Sequence, residues 1–191
     1  MLKRLSLWLL SAAISSAACA APVTLDFESL PDLRSVTTEY AALGLTVQGG
    51  FSLTAGFSLN EVDFPPHSGQ KVLGNETNSN PLALMFATPT DALSAWFTHG
   101  AALSITSYAA DGSLLGTVVS ASNSNFRRSE LIDFGYANAS QVLISSTDYY
   151  VLDDLSFDSH AAPEPAGTAL VALALAAAAL ARRHANGRAR S

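Results

Sequence analysis

Four carboxylates occur in two short apolar contexts far apart in the chain, Asp26 and Glu28 in Leu25-Asp26-Phe27-Glu28, and Asp153 and Asp154 in Leu152-Asp153-Asp154-Leu155. Calcium recruits such groups, taking about six to eight oxygen ligands. In the closing segment Val151, Leu155 and Phe157 share one face by strand alternation. Asp153 falls on that same face, while Asp154 lies with Tyr150 and Ser156. An inward carboxylate needs a partner. Either a structural calcium ties Asp26 and Glu28 to Asp153 or Asp154, or Asp153 accepts backbone N–H bonds and the other three are solvated. The chain has no contiguous Asp-rich loop of the EF-hand type.

Nucleophilic and general-base chemistry has no comparable signature. Between Ala21 and Ala162 the histidines are His67, His99 and His160, without His-Glu-x-x-His, Gly-x-Ser-x-Gly or a phosphate-cradling glycine loop. His67 follows Pro65-Pro66 and His99 ends a strand before Gly100, so both read as surface or loop histidines, and His160 as part of a linker. Serine and aspartate are too abundant for spacing to single out a Ser-His-Asp set or a glycosidase pair. The preferred reading is non-enzymatic, with a secreted hydrolase of extracellular polysaccharide as the alternative. Ice binding or adhesion is a third class, but ice binding calls for a regular threonine array and the chain offers isolated pairs such as Thr37-Thr38.

Aromatic side chains make carbohydrate binding the stronger candidate, because sugar sites pair an aromatic face with polar neighbours. Trp96, Tyr108, Tyr136, Tyr149 and Tyr150 are available. In Ala92 to His99 the apolar set Leu93, Ala95 and Phe97 takes one face, which puts Trp96 on the other with Ser94 and Thr98. Trp96 either meets a ligand there or is covered by a neighbour. Tyr149 and Tyr150 likewise either stack on a ligand or anchor a strand end.

The elements that position these residues repeat with period two. Val23, Leu25 and Phe27 alternate with Thr24, Asp26 and Glu28, and the same pattern recurs at Leu103 to Ile105 and Val142 to Ile144. Further strands are expected at Leu45 to Gln48, Lys71 to Leu73, Leu82 to Phe86, Ala92 to His99, Leu114 to Val119, Leu131 to Phe134 and Tyr150 to Phe157. Gly49-Gly50, Pro65-Pro66, Asn78 to Pro81, Asp111-Gly112 and Ser120 to Asn125 separate them as turns. Asp111-Gly112 predicts a tight type I′ hairpin. One short helix is expected around Ser35 to Ala42, capped by Ser35 and ended by Gly44. The sum is an all-β fold, an antiparallel β-sandwich of jelly-roll form.

The ends read as addresses rather than fold. Lys3 and Arg4 precede an apolar stretch from Leu5 to Ile14 and the small-residue site Ala18-Cys19-Ala20, a secretory signal peptide over residues 1–20 that signal peptidase would remove. Lipidation at Cys19 is the alternative, disfavoured by Ser16 three positions earlier. Cys19 is the sole cysteine, so the exported domain has no disulfide framework and no cysteine chemistry. At the other end Pro163-Glu164-Pro165 is followed by an uncharged run from Ala166 to Ala181, then Arg182, Arg183, His184, Arg188 and Arg190. That run would span roughly 24 Å as a helix, short of a hydrocarbon core of about 30 Å, so it makes a marginal transmembrane helix. The arginines hold their side in the cytoplasm and place the preceding domain outside.

Pro-Glu-Pro, an apolar helix and an arginine cluster, in that order over residues 163–190, resemble the PEP-CTERM sorting signal of Gram-negative bacteria that make extracellular polysaccharide. The resemblance implies an exosortase-type membrane protease that cuts near Pro163, Glu164 and Pro165, with Arg182 and Arg183 as the stop signal, and release to the cell surface or matrix. Leu25-Asp26-Phe27-Glu28, Tyr108-Ala109-Ala110-Asp111-Gly112 and Leu152-Asp153-Asp154-Leu155-Ser156-Phe157 are similar to motifs of sandwich modules found ahead of such signals. They imply the same fold and a lectin-like or galactose-binding-like relationship.

The chain therefore divides into a signal peptide, a sandwich domain at 21–158, a linker at 159–162 and the sorting signal. The exported part, from Ala21 to Ala162, keeps 15 of the acids and only Arg34, Lys71, Arg127 and Arg128 of the bases, a formal charge of −11 against −6 for the whole chain. Such a surface repels nucleic acid phosphates and favours cations, which argues against a DNA or RNA role. The compartment and the aromatic residues make extracellular polysaccharide the expected partner.

Overall fold

Alternation does build the molecule. The computed structural model describes residues 22–75, 81–122 and 127–158. Among them the strands are β1 (Pro22–Leu25), β2 (Ser35–Val36), β3 (Leu45–Gln48), β4 (Gly50–Thr54), β5 (Lys71–Asn75), β6 (Leu82–Thr90), β7 (Leu93–His99), β8 (Leu103–Tyr108), β9 (Leu114–Val119), β10 (Glu130–Asp133), β11 (Ala139–Ser146) and β12 (Tyr150–Asp158). They pair antiparallel in two sheets. The larger runs β10-β7-β12-β5-β4-β2, with β1 alongside the C-terminal half of β12, and the smaller runs β3-β6-β11-β8-β9. The fold is an all-β antiparallel sandwich. The signal peptide, the linker, the Pro-Glu-Pro motif and both flanking helices lie outside the described residues.

The main core lies between the sheets, where inward residues such as Leu73, Phe97, Leu152 and Leu155 meet Leu84, Ile105, Val142 and Ile144. A second, smaller cluster sits on the outer face of the larger sheet. Leu53, Val72 and Val151 point there by alternation and are covered by Leu59 and Phe64 of the long β4–β5 connection. That connection is what shapes the candidate site.

Three local expectations are corrected. Ser35–Val36 pair with β4 instead of opening a helix, and only a single 3-10 turn forms at Ala41–Leu43 before Gly44. Gly49 makes the expected turn, but Gly50 already belongs to β4, a strand that its Gly-Phe-Ser start conceals. The β8–β9 hairpin is not type I′. Its positive φ is confined to Gly112, Gly112 N–H donates to Ala109 O and Ala109 N–H to Ser113 O, which is a turn closed by a glycine bulge.

A fourth correction concerns β12. Asp153 pairs with Trp96 of β7, but Ser156 pairs with Ser94, so β12 carries one extra residue, and Asp154 there has φ 46°. The bulge reverses the parity of the strand. Tyr150 and Leu152 before it and Leu155 and Phe157 after it all reach the main core, whereas Val151 belongs to the outer cluster. Asp153 shares the outer face with Val151 and Trp96, not the face of Leu155 and Phe157.

Candidate functional site

Trp96 stands on the outer face of the larger sheet, with Asp153 of β12 as its cross-strand partner on one side and Leu131 of β10 on the other. The β4–β5 connection is pinned over this row. Thr98 Oγ1 donates to Pro65 O at 3.2 Å, and the backbone N–H groups of His67 and Ser68 both donate to Asp153 Oδ2 at 2.9 Å. Asp154 N–H donates to the other oxygen at 2.7 Å. Asp153 is only 2 % exposed. Burial pushes its pKa up to about 6, the bond from Ser68 opposes the rise, and the neighbouring Asp154 charge adds to it.

Pinning the loop lays the His67 ring flat on Trp96, with centroids 3.6 Å apart and planes 6° from parallel. His67 Nδ1 is 3.3 Å from Ser129 Oγ, and Nε2 is 4.0 Å from Asp154 Oδ2. Ser129, His67 and Asp154 thus follow the order of nucleophile, base and orienting acid. Both contacts exceed the roughly 2.6–3.2 Å at which a base activates a nucleophile, and Asp154 Oδ1 is already held by Ser68 Oγ. The imidazole braces Trp96.

Beside the stack lies a groove of about 420 Å3 lined by Trp96, Ser122, Arg128, Ser129, Glu130 and Leu131. Trp96 is partly exposed in it, and Leu131 is 55 % exposed at its edge. An aromatic ring, an apolar edge and four polar side chains can pack a pyranose and meet its hydroxyls. Glu130 is fixed from within: its Oε1 is 2.7 Å from His99 Nε2, while His99 Nδ1 is 2.8 Å from Ala101 O. His99 is fully buried. The expectation of a surface histidine is corrected, because alternation carries the last residue of β7 inward, where both ring nitrogens find partners.

Tyr149 lies on the same outer face but in a different place. Its ring meets Phe64 edge-on at 5.1 Å, and the two line a second cavity of about 400 Å3 with Asp63 and Asp148. Burial raises the Tyr149 hydroxyl to about 12. A Cβ on Gly74 would fall 2.4 Å from that hydroxyl, so the ring crosses β5 where there is no side chain. Tyr150 is not a ligand-binding residue: it is 1 % exposed in the main core and its hydroxyl donates to Ile144 O at 2.8 Å.

The opening carboxylates serve the backbone. Glu28 Oε1 accepts from Gln70 N–H and Lys71 N–H at 2.7 Å each, and Asp26 Oδ1 accepts from Glu28 N–H at 3.1 Å. With Asp153 holding three N–H groups as well, the set does not fit a calcium cage. Among the described residues no group of three or more His, Cys, Asp or Glu side chains is arranged to hold a metal ion.

Sequence reasoning missed His67, Arg128, Ser129 and Leu131. No local pattern marks them, since His67 meets Asp153 across 86 residues of chain. The available signal was the carboxylate inside an apolar strand, which required donors from elsewhere.

No family model matches the chain, and no curated protein matches it. Among solved structures it is similar to a DUF4465 family protein from Bacteroides caccae, at 10% identity over 72% of this chain and 98% of that one, with a TM-score of 0.50. It is also similar to the CBM22-1 xylan-binding domain from Paenibacillus barcinonensis Xyn10C, at 12% identity over 75% and 97% of the two chains and a TM-score of 0.44. Identity this low speaks to the fold alone.

Proposed function

We propose that this is a non-catalytic, carbohydrate-binding β-sandwich that works outside the cell, on its surface or in its polysaccharide matrix. The observation that carries the reading is the groove in which Trp96, braced by His67, stands beside Ser122, Arg128, Ser129 and Glu130. A tryptophan held rigid on an outer sheet face binds a sugar ring at little entropic cost. The compartment follows from the ends of the sequence: signal peptidase acts after Ala20, and an exosortase-type protease acts at Pro163, Glu164 and Pro165.

A glycan array tests the binding. Retention on at least one polysaccharide, lost in a Trp96→Ala variant that remains folded, is expected; a blank array would remove the reading. A hydrolase substrate panel is expected to show no turnover, and turnover abolished by Ser129→Ala would replace binding with catalysis. For the sorting step, the intact mass of the protein from the host's medium or matrix is expected to match a start near Ala21 and an end between Pro163 and Pro165. A mass that includes the arginine tail would contradict release.

A further inference from the structure

His99 is fully buried at the end of β7, and each of its ring nitrogens faces an acceptor. Nδ1 lies 2.8 Å from Ala101 O, a carbonyl that can only accept, and Nε2 lies 2.7 Å from Glu130 Oε1 of β10. A neutral imidazole carries one N–H and one bare nitrogen, and an ionised carboxylate only accepts. Together they would leave one pair of acceptors in contact inside the fold. Two protons make both contacts hydrogen bonds, one on Nδ1 and one between Nε2 and Oε1.

From this we infer that His99 and Glu130 share a proton that positions Glu130 at the Trp96 groove, and that the groove releases its glycan when this proton leaves. The inference rests on the glycan-binding reading and adds a regulation to it. Glu130 belongs to both places: its side chain is 44 % exposed although Oε1 reaches a buried ring, and the residue lines the groove beside Trp96. The carboxylate held in this way offers its second oxygen to a sugar hydroxyl, a stronger acceptor than a neutral group would be.

Loss of the proton sets the Nε2 lone pair against the carboxylate at 2.7 Å, in a setting where acceptors repel more than they do in water. The ring stays in place through Nδ1–H on Ala101 O, so Glu130, the exposed partner, swings away. Other groups take little part. Tyr150 is the cross-strand neighbour of His99 on β12, and its hydroxyl is engaged by Ile144 O. Arg128 is the cation that lines the groove with Glu130, while Asp153 and His67 belong to the outer face. The pair titrates as a unit, with binding full while the proton is held and falling as pH rises through the step.

The test follows the imidazole nitrogens of the full chain by nitrogen NMR across pH, with His67, His160 and His184 changed to Gln in turn to assign the signals. Nε2 of His99 is expected to lose its proton as pH rises while Nδ1 keeps its own. Affinity for the polysaccharide that the array selects should fall about tenfold over that same step, the worth of one hydrogen bond to a charged group. In Glu130→Gln an amide donates to a bare Nε2 without an extra proton, so the variant should fold and bind with no change across the pH range of the parent's step. Loss of the proton from Nδ1 instead would overturn the shared proton. Affinity that stays level through the His99 step, or a fall that persists in Glu130→Gln, would overturn its control of the groove. A blank array removes the release together with the glycan reading, whereas the spectrum still decides the proton.

Discussion

The two faces of the larger sheet are held by different physics. The inner face buries Leu73, Phe97, Leu152 and Leu155 against the smaller sheet, and its stability comes from apolar area removed from water. The outer face buries a carboxylate, Asp153, which fastens the β4–β5 connection through the N–H groups of His67 and Ser68 and so sets His67 on Trp96. One face carries the main core. The other adds, beside the smaller apolar cluster of Leu53, Val72 and Val151, a surface feature held by a buried carboxylate, and that division is what a binding site on a rigid scaffold requires.

Substitutions that break this division run from large to small. Phe97→Ala empties the inner core and should cost about 3–5 kcal/mol, seen in chemical denaturation. Binding would fall with the fold. Asp153→Ala strands three backbone donors, at about 2–3 kcal/mol, and loosens the loop that braces Trp96. Its affinity loss should exceed what its remaining folded fraction explains. If Asp153→Ala melts like the parent, the outer face is not held as described.

Asp153 also supplies a pH signature. The folded protein keeps its proton up to about pH 6, while the unfolded chain releases it near 3.8. Between those values the native state binds more protons, so this residue's contribution to stability falls as pH rises from about 4 to 6 and is flat above. Asp153→Asn should lose that slope, measured as the difference from the parent across denaturation curves at each pH. A parent-like slope in the variant would assign it to another group. The same variant separates calcium from hydrogen bonding, because a parent insensitive to both calcium and chelator is expected.

Trp96→Ala should be milder for the fold, about 1 kcal/mol for a partly exposed ring, and the most severe for binding. Ser129→Ala should leave stability unchanged, since its contact with His67 is long at 3.3 Å, and should weaken binding by about 0.5–1.5 kcal/mol, the net worth of one hydrogen bond to a sugar hydroxyl in the groove.

How legible each face was follows from the same contrast. Alternation in Leu93, Ala95 and Phe97 placed β7 and left Trp96 outward, and period two marked most of the strands in the two sheets. Parity failed where a strand carries a bulge: the extra residue at Asp154 moves Asp153 to the face opposite the one that simple alternation gives. The short β2 was hidden behind a helix-like start. The groove could not be read at all, because Trp96, Arg128 and His67 meet only through tertiary pairing, and a Pro-Pro-His segment predicts a turn without saying what lies beneath it.

A glycan seated against Trp96 is open to direct observation. Trp8 and Trp96 are the two tryptophans of the chain, so Trp8→Phe leaves Trp96 as its sole indole emitter. Titrated with the polysaccharide that the array selects, this protein should show a saturable shift in tryptophan emission whose midpoint equals the dissociation constant measured by calorimetry. Saturable heat with an unmoved spectrum would place the ligand elsewhere on the molecule and remove Trp96 from the binding site.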